Sequence, residues 1–250
     1  MKVVVVGANG MMGSKIVRRL ERHGKEVIEA SKTTGVNVYT GEGLASVLNG
    51  ADVVVDVTNS GAFGEGDALE FFKRAGRNLT AAAKMSGIRH YMALSVLGVE
   101  HLVENDYFRA KLVQENLIRA SGLAYTIIRS AQFFEFFNGI INAASVDGVL
   151  RLPPVVLQPI SADEAANWIV KLTDEMPRNT MVEVSGPESA KLVDLAHELL
   201  TATEDNRAVT SDTDAHYFGV RLAPDSLLSA GNAITSNITF HEWLSRTIYA

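Results

Sequence analysis

Four consecutive valines, Val3 to Val6, run straight into Gly7-Ala8-Asn9-Gly10-Met11-Met12-Gly13, and this junction constrains the chain more than any other feature. A continuous β-branched run reads as a strand buried on both faces of a parallel sheet. Met12, Ile16, Val17 and Leu20 then recur at helical spacing, and Gly24 is a plausible stop for that helix. The glycines therefore lie between a strand and a helix, each with its own task. Gly7 permits the tight turn, Gly10 lets the backbone approach a pyrophosphate, and Gly13 lets the helix pack closely on the sheet. The helix N-terminus, entered through Asn9, Met11 and Met12, offers free N–H groups and a positive dipole end to phosphates. A Walker A loop is excluded, because Ser14 rather than lysine follows Gly13.

The pattern continues through the first half. Strands are expected at Glu26–Ala30, Val36–Tyr39, Asp52–Thr58, Tyr91–Ser95 and Ala124–Arg129. Helices are expected at Leu44–Leu48, Ala68–Met85 and Asp106–Ala120. Strands alternating with helices imply right-handed βαβ crossovers and a parallel, doubly wound α/β sheet. All six prolines lie beyond Leu152, where the chain becomes less regular. Two parts follow: a dinucleotide-binding core over 1–152, and a C-terminal part over 153–250 that completes the sheet edge and forms a small substrate-side region. In the latter, helices are expected at Ser161–Thr173 and Lys191–Ala202 and a strand at Met181–Ser185.

Charge narrows the partners. The net charge is −6, too acidic for general binding to a nucleic-acid backbone. The acidity is uneven: residues 1–130 hold 16 Lys and Arg against 13 Asp and Glu, so the half with the glycine turn is mildly basic. The chain has no cysteine, which excludes thiolate catalysis, disulfides and Cys-type metal sites. The six histidines form no short ligand pair, so no metal is expected. No run of 18 apolar residues suggests a membrane span, and a cytoplasmic location is expected. Oligomeric state is left open between monomer and dimer.

Two further sites carry chemistry. The second strand should end near the adenosine ribose, where an acidic residue selects NAD and a basic one accommodates the 2′-phosphate of NADP. Ser31 and Lys32 stand there and favour NADP(H) over NAD(H), with Glu29 as the rival signal. Tyr107 and Lys111 are four residues apart on one predicted helix face. A nearby ammonium favours the phenolate and lowers the tyrosine pKa. Such a tyrosine could deliver a proton to a carbonyl oxygen. Ser95, at the end of the preceding strand, could hydrogen-bond the same oxygen.

GANGMMG, the strand-end Ser95, YFRAK and AYTIIRSAQFFEFF together resemble the short-chain dehydrogenase/reductase superfamily, in particular its atypical, NmrA-like branch. The resemblance implies a Rossmann fold. It implies that Thr58 and Asn59 border the cofactor and that Lys111 contacts the nicotinamide ribose. It also implies that Gln132, Phe133 and Phe134 sit beside the nicotinamide and substrate. The chain departs from the superfamily's main branch in lacking T-G-x-x-x-G-x-G, and Asn78 is the candidate counterpart of that branch's helix asparagine.

Phe133, Phe134, Phe136 and Phe137 make the densest aromatic cluster, read either as core or as an apolar wall beside the reacting centre. Gly61, Gly64 and Gly66 mark a loop at the expected ligand edge. The expected function is an NADP(H)-dependent oxidoreductase acting on a small carbonyl or enone-type substrate, with Tyr107, Lys111 and Ser95 as its catalytic group. The alternative is a dinucleotide-binding redox sensor without catalysis. A nucleotide-sugar epimerase ranks last, because little chain remains for a larger substrate domain.

Overall fold

The computed structural model describes residues 1–60, 67–146 and 148–248. The chain runs β1 (Lys2–Val6), α1 (Met11–Arg22), β2 (Glu26–Ala30), α2 (Leu44–Leu48), β3 (Val53–Asp56), α3 (Asp67–Met85), β4 (His90–Val96), α4 (Asp106–Ala120) and β5 (Tyr125–Ser130). It continues with α5 (Phe137–Asn142), β6 (Ser145–Val146), β7 (Val149–Leu152), β8 (Val156–Leu157), α6 (Ala162–Leu172), β9 (Thr180–Ser185) and β10 (Ala190–Lys191). The last elements are α7 (Leu192–Ala202), β11 (Ala208–Ser211), β12 (Ile234–Thr235) and α8 (Phe240–Ile248). The main sheet is parallel and seven-stranded, in the order β12-β9-β5-β4-β3-β1-β2. This is the expected doubly wound arrangement. Strand β1 pairs with β2 on one side and β3 on the other, so the strand order reverses at β1. In open α/β sheets such a reversal opens a ligand crevice beyond the carboxyl ends of the strands.

The valines of β1 are fully or almost fully buried, as a strand covered on both faces requires. Val4 and Val6 join Val54, Tyr91 and Ala93 beneath Leu44 and Leu48 of α2, Leu79 and Ala83 of α3, and Ile118 of α4. The strand expected at Val36–Tyr39 does not form. Asn37 Oδ1 accepts from the Tyr39 N–H at 3.0 Å, folding the segment into a turn whose only strand-like contact is a bridge between Asn37 and Glu42. A local side-chain acceptor has outcompeted the β pattern, and β2 is left at the end of the sheet.

Two compact units interleave along the chain, whereas the proline distribution alone places one boundary near residue 152. The first comprises 1–95, 106–129 and 166–182; the second comprises 96–105, 130–165 and 183–250. The second unit carries two small sheets, an antiparallel β8–β10 pair and β6-β7-β11. Among the described residues no helix is long and apolar enough to cross a membrane.

His90, at the start of β4, is buried, and its Nε2 pairs with Thr126 Oγ1 at 2.8 Å. Burial pushes the imidazole down to about 4, against the opposing pull of Glu175. The unfolded chain therefore binds the proton first. The stability contributed by neutral His90 is complete above an unfolded pKa of about 6.5 and is lost as pH falls through the folded value. At about 1.4 kcal/mol per unit, the window costs about 3 kcal/mol. Urea unfolding at several pH values should show His90→Gln losing less stability than the wild type between pH 6.5 and 4. Parallel curves would remove His90 as the cause.

Candidate functional site

The glycine turn is built as its spacing implies, and its three glycines meet different demands. Gly7 has φ +88°, and a Cβ there would lie 2.8 Å from the Val57 carbonyl oxygen. A Cβ at Gly13 would lie 2.1 Å from the Gly7 oxygen and 2.7 Å from Ala8 Cα. Both positions are closed by backbone. Gly10 is exposed, and a Cβ there meets only the Gly7 oxygen, at 3.3 Å. Position 10 is tight but not closed, and the cradle is open on its outer side. Helix α1 starts there with no side-chain cap and no acidic residue in its first turn. Its leading N–H groups and dipole favour an anion. The residues therefore fit a dinucleotide pyrophosphate.

Two neighbouring strand ends complete this rim. After β2, Ser31 caps a short turn over Lys32–Thr34, closed by Thr34 Oγ1 accepting from the Ser31 N–H at 2.9 Å. Asn9 donates from its amide to Thr33 Oγ1, tying the glycine turn to this second turn. Lys32 and Asn9 are exposed. Glu29 is exposed within β2, in register with Val5. After β3, Thr58 donates from its N–H and hydroxyl to Asp56 Oδ1 at 3.0 and 2.7 Å, and Asn59 is exposed. Gly61, Gly64 and Gly66 lie outside the described residues.

Below the rim is a buried polar network that the sequence pattern did not reveal. Asp56, 1% exposed, also accepts at Oδ2 from the Tyr91 hydroxyl and Gln114 Nε2, both at 2.8 Å. Gln114 Oε1 in turn accepts from Lys111 Nζ, which also donates to the Leu94 carbonyl at 2.8 Å. The ammonium lies 4.7 Å from the centre of the Phe72 ring. Burial pushes Lys111 down to about 8, while Asp56 and Glu115 pull it up. Lys111 thus remains largely protonated at neutral pH, with its charge held inside the fold.

Tyr107 shares the Phe72 neighbour, at 6.1 Å between ring centres in an edge-to-face arrangement. The helical spacing does bring Tyr107 and Lys111 to one face, but the expected electrostatics differ. Burial pushes the Tyr107 hydroxyl up to about 12, the reverse of the lowering expected from a neighbouring ammonium. Ser95 also departs from expectation. It is 4% exposed, its hydroxyl makes no hydrogen bond, and it helps hold Glu115 of α4 below the ordinary carboxylate range. Its side chain is enclosed toward α4, because residues 91, 93 and 95 alternate onto the sheet face that α4 covers.

A family model described as NAD(P)H-binding matches residues 7–175, more than half of the chain. The chain belongs to this NAD(P)H-binding family. It is an atypical short-chain dehydrogenase/reductase of the oxidoreductase type. A Streptomyces griseus relative named (4-alkanoyl-5-oxo-2,5-dihydrofuran-3-yl)methyl phosphate reductase is 29% identical, over 75% of this chain and 68% of its own. A chloroplastic divinyl chlorophyllide a 8-vinyl-reductase of Oryza sativa subsp. indica is 27% identical, over 75% of this chain and 55% of its own. The UDP-glucose 4-epimerase of Thermus thermophilus, solved with NAD, superposes with a TM-score of 0.71 at 15% identity, covering 100% of this chain and 98% of that one. This last likeness is one of fold.

For this family member, the second unit holds the remaining expected residues. Gln132 and Phe133 follow β5, where Phe133 forms a bridge to Ile160. Phe134 and Phe137 are core: their ring centres lie 5.2 and 5.0 Å from Phe240 of α8. Phe136 is 43% exposed. Sequence reasoning missed Asp56, Phe72, Tyr91 and Gln114. An aspartate closing an otherwise apolar strand, DVVVD, was the available signal for the first.

Proposed function

We propose that the protein is an NADP(H)-dependent oxidoreductase acting on a small carbonyl or enone-type substrate. The observation that carries this reading is Gly10: an exposed glycine whose Cβ would meet only the Gly7 oxygen, at an uncapped helix N-terminus beside the sheet's switch point. The turn from Gly7 to Gly13, with Asn9, Met11 and Met12, would hold the pyrophosphate. Ser31 and Lys32 would take the 2′-phosphate, and Thr58 and Asn59 would border the cofactor. When bound, the nicotinamide supplies or accepts the hydride. Lys111 keeps a positive charge beneath the site, and Tyr107 holds the proton for the substrate oxygen. The names of two relatives, both reductases, support reduction over epimerisation.

Thermal shift with NADP(H) and NAD(H) tests the binding claim, since a ligand of the native state raises stability. Gly10→Ala should leave the unliganded melting temperature within about 2 °C of wild type, because its Cβ meets one atom at 3.3 Å. The same change should weaken NADPH binding by about tenfold or more, equivalent to about 1.4 kcal/mol. If neither dinucleotide stabilises the wild type, the reading fails.

A second reading, a redox sensor without turnover, is favoured by one observation: burial raises rather than lowers Tyr107. Titration with NADP and NADPH separates the two. A sensor prefers one redox form strongly and oxidises NADPH with no member of a carbonyl panel.

A further inference from the structure

The first unit buries a cation and an anion that do not pair directly. Lys111 of α4 and Asp56 of β3 are both almost fully buried, and Gln114, buried as well, stands between them. A lysine ammonium only donates and a carboxylate only accepts, so the carboxamide has one orientation here: Oε1 toward Lys111 and Nε2 toward Asp56. Both ends have further partners. Asp56 also accepts from the Thr58 N–H, the Thr58 hydroxyl and the Tyr91 hydroxyl. Lys111 also donates to the Leu94 carbonyl, and the Phe72 ring of α3 covers its ammonium. A buried charge without such partners is costly.

The charge on Lys111 is conditional. Burial pushes it down to about 8, against the pull of Asp56 from β3 and Glu115 from α4. Glu115 is held in turn by Arg129 of β5. Of the neighbouring phenols, Tyr91 of β4 gives its hydroxyl to Asp56, and burial keeps Tyr107 of α4 neutral. The ammonium is therefore present at neutral pH and lost as pH rises through about 8. Its place in the sheet gives this charge a use. Asp56 is in register with Val6 of β1 and Ala93 of β4, and Val6 directly precedes the glycine turn. The charge is level with the dinucleotide cradle, against the adjoining strands of the same unit. Oxidised and reduced nicotinamide dinucleotides differ by one positive charge on the ring. A protonated Lys111 opposes that charge and a neutral one does not, and the low-dielectric interior screens the effect little.

We propose that Gln114 and Asp56 are positioning residues that hold the Lys111 ammonium in place, and that this held charge makes the site favour NADPH over NADP+. By reciprocity, NADP+ eases the proton off Lys111 by the same factor by which the proton disfavours NADP+. This rests on the reading of the protein as an NADP(H)-dependent oxidoreductase.

The test uses the full chain with 15N-labelled lysine, following the Lys111 side chain by NMR from pH 6 to pH 10; Lys111→Arg identifies its signal by removing it. The wild type should titrate near pH 8. Gln114→Met takes away one acceptor and breaks the link to Asp56, so it should lower the midpoint by about one unit or more. Asp56→Asn should lower it too. Gln114→Glu sets a carboxylate against the ammonium and should raise it by about one unit or more. A packing role would not reverse sign between these two changes at position 114. Dissociation constants of NADP+ and NADPH over the same range give the second readout. The wild type should favour NADPH about tenfold more at pH 6.5 than at pH 9.5, with the change centred on the Lys111 midpoint and moving with it in Gln114→Met. Equal midpoints in the wild type, Gln114→Met and Asp56→Asn overturn the positioning role, as do shifts of one sign in Gln114→Met and Gln114→Glu. A preference that ignores pH overturns the discrimination and leaves the oxidoreductase reading standing. Failure of both dinucleotides to bind overturns that reading and the discrimination together.

Discussion

Gly13→Ala is expected to lose at least about 3 kcal/mol of stability and all measurable NADP(H) binding. The added methyl would sit 2.1 Å from the Gly7 oxygen and 2.7 Å from both Ala8 Cα and the Ala8 oxygen. All three are backbone atoms, so no side-chain rotation relieves the overlap. Alanine's better helix propensity returns at most about 1 kcal/mol. The residual clash must separate α1 from the turn, which removes the N–H cradle along with the packing. For a chain of this size, a loss of about 3 kcal/mol lowers the melting temperature by about 6–12 °C. Urea unfolding beside the Gly10→Ala variant gives the sharpest reading, because position 10 is only tight, at 3.3 Å, and position 13 is closed, at 2.1 Å. Equal midpoints for the two variants would falsify the assignment of separate tasks to the two glycines.

Glu115→Ala is expected to cost about 3–5 kcal/mol, the range for removing one partner of a buried ion pair. Glu115 accepts from Arg129 Nε at 2.9 Å and Nη2 at 2.8 Å, and from Arg119 Nη2 at 2.6 Å. Glu115 and Arg129 are 1% and 6% exposed, so the alanine variant takes the carboxylate away from a buried guanidinium. Glu115→Leu combined with Arg129→Met should recover most of the loss, because the apolar pair leaves no fully buried charge behind and Arg119 is part-exposed. Acid should mimic the single variant. Burial alone would push Glu115 up, but Arg129, Ser95 and Arg119 outweigh it and hold the carboxyl low. The stability from this pair is therefore present above the unfolded carboxylate pKa of about 4.3 and lost as pH falls through the folded value. Denaturant midpoints of the single and double variants across pH 3–7 check both statements. A double variant no more stable than the single one would show that Glu115 acts through packing rather than charge.

The elements legible in the sequence were those whose pattern and punctuation agree. The strand at Glu26–Ala30 and the helices at Leu44–Leu48 and Asp106–Ala120 form within the expected bounds. The glycine turn was legible because its three glycines stand between a buried strand and an amphipathic helix. Val36–Tyr39 failed because its alternation was real but the Asn37 side chain folds the backbone away from any partner strand. Much of the second unit was illegible for a related reason: strands of two residues, such as β6, β8 and β10, are too short to carry a period. The site was legible in its residue types but less so in its charges. The spacing of Tyr107 and Lys111 states that they share a face; it does not state that α3 sets Phe72 against both, or that Asp56 and Gln114 engage the lysine. Such tertiary partners decide whether a neighbouring ammonium or burial controls a phenol.

The terminal position of β2 in the sheet has an evolutionary consequence. Among the described residues, Ser31 to Thr34 hang from a strand with no neighbour on its outer side, joined to the glycine turn through the Asn9–Thr33 contact. Substitutions and changes of length there need not be matched by changes in the interior. Lys111, by contrast, is interlocked with Asp56, Tyr91 and Gln114, so a change at any one is felt by the others. The preference between two dinucleotides can therefore drift quickly in this lineage, and be redesigned with little penalty, while the buried lysine can change only together with its partners.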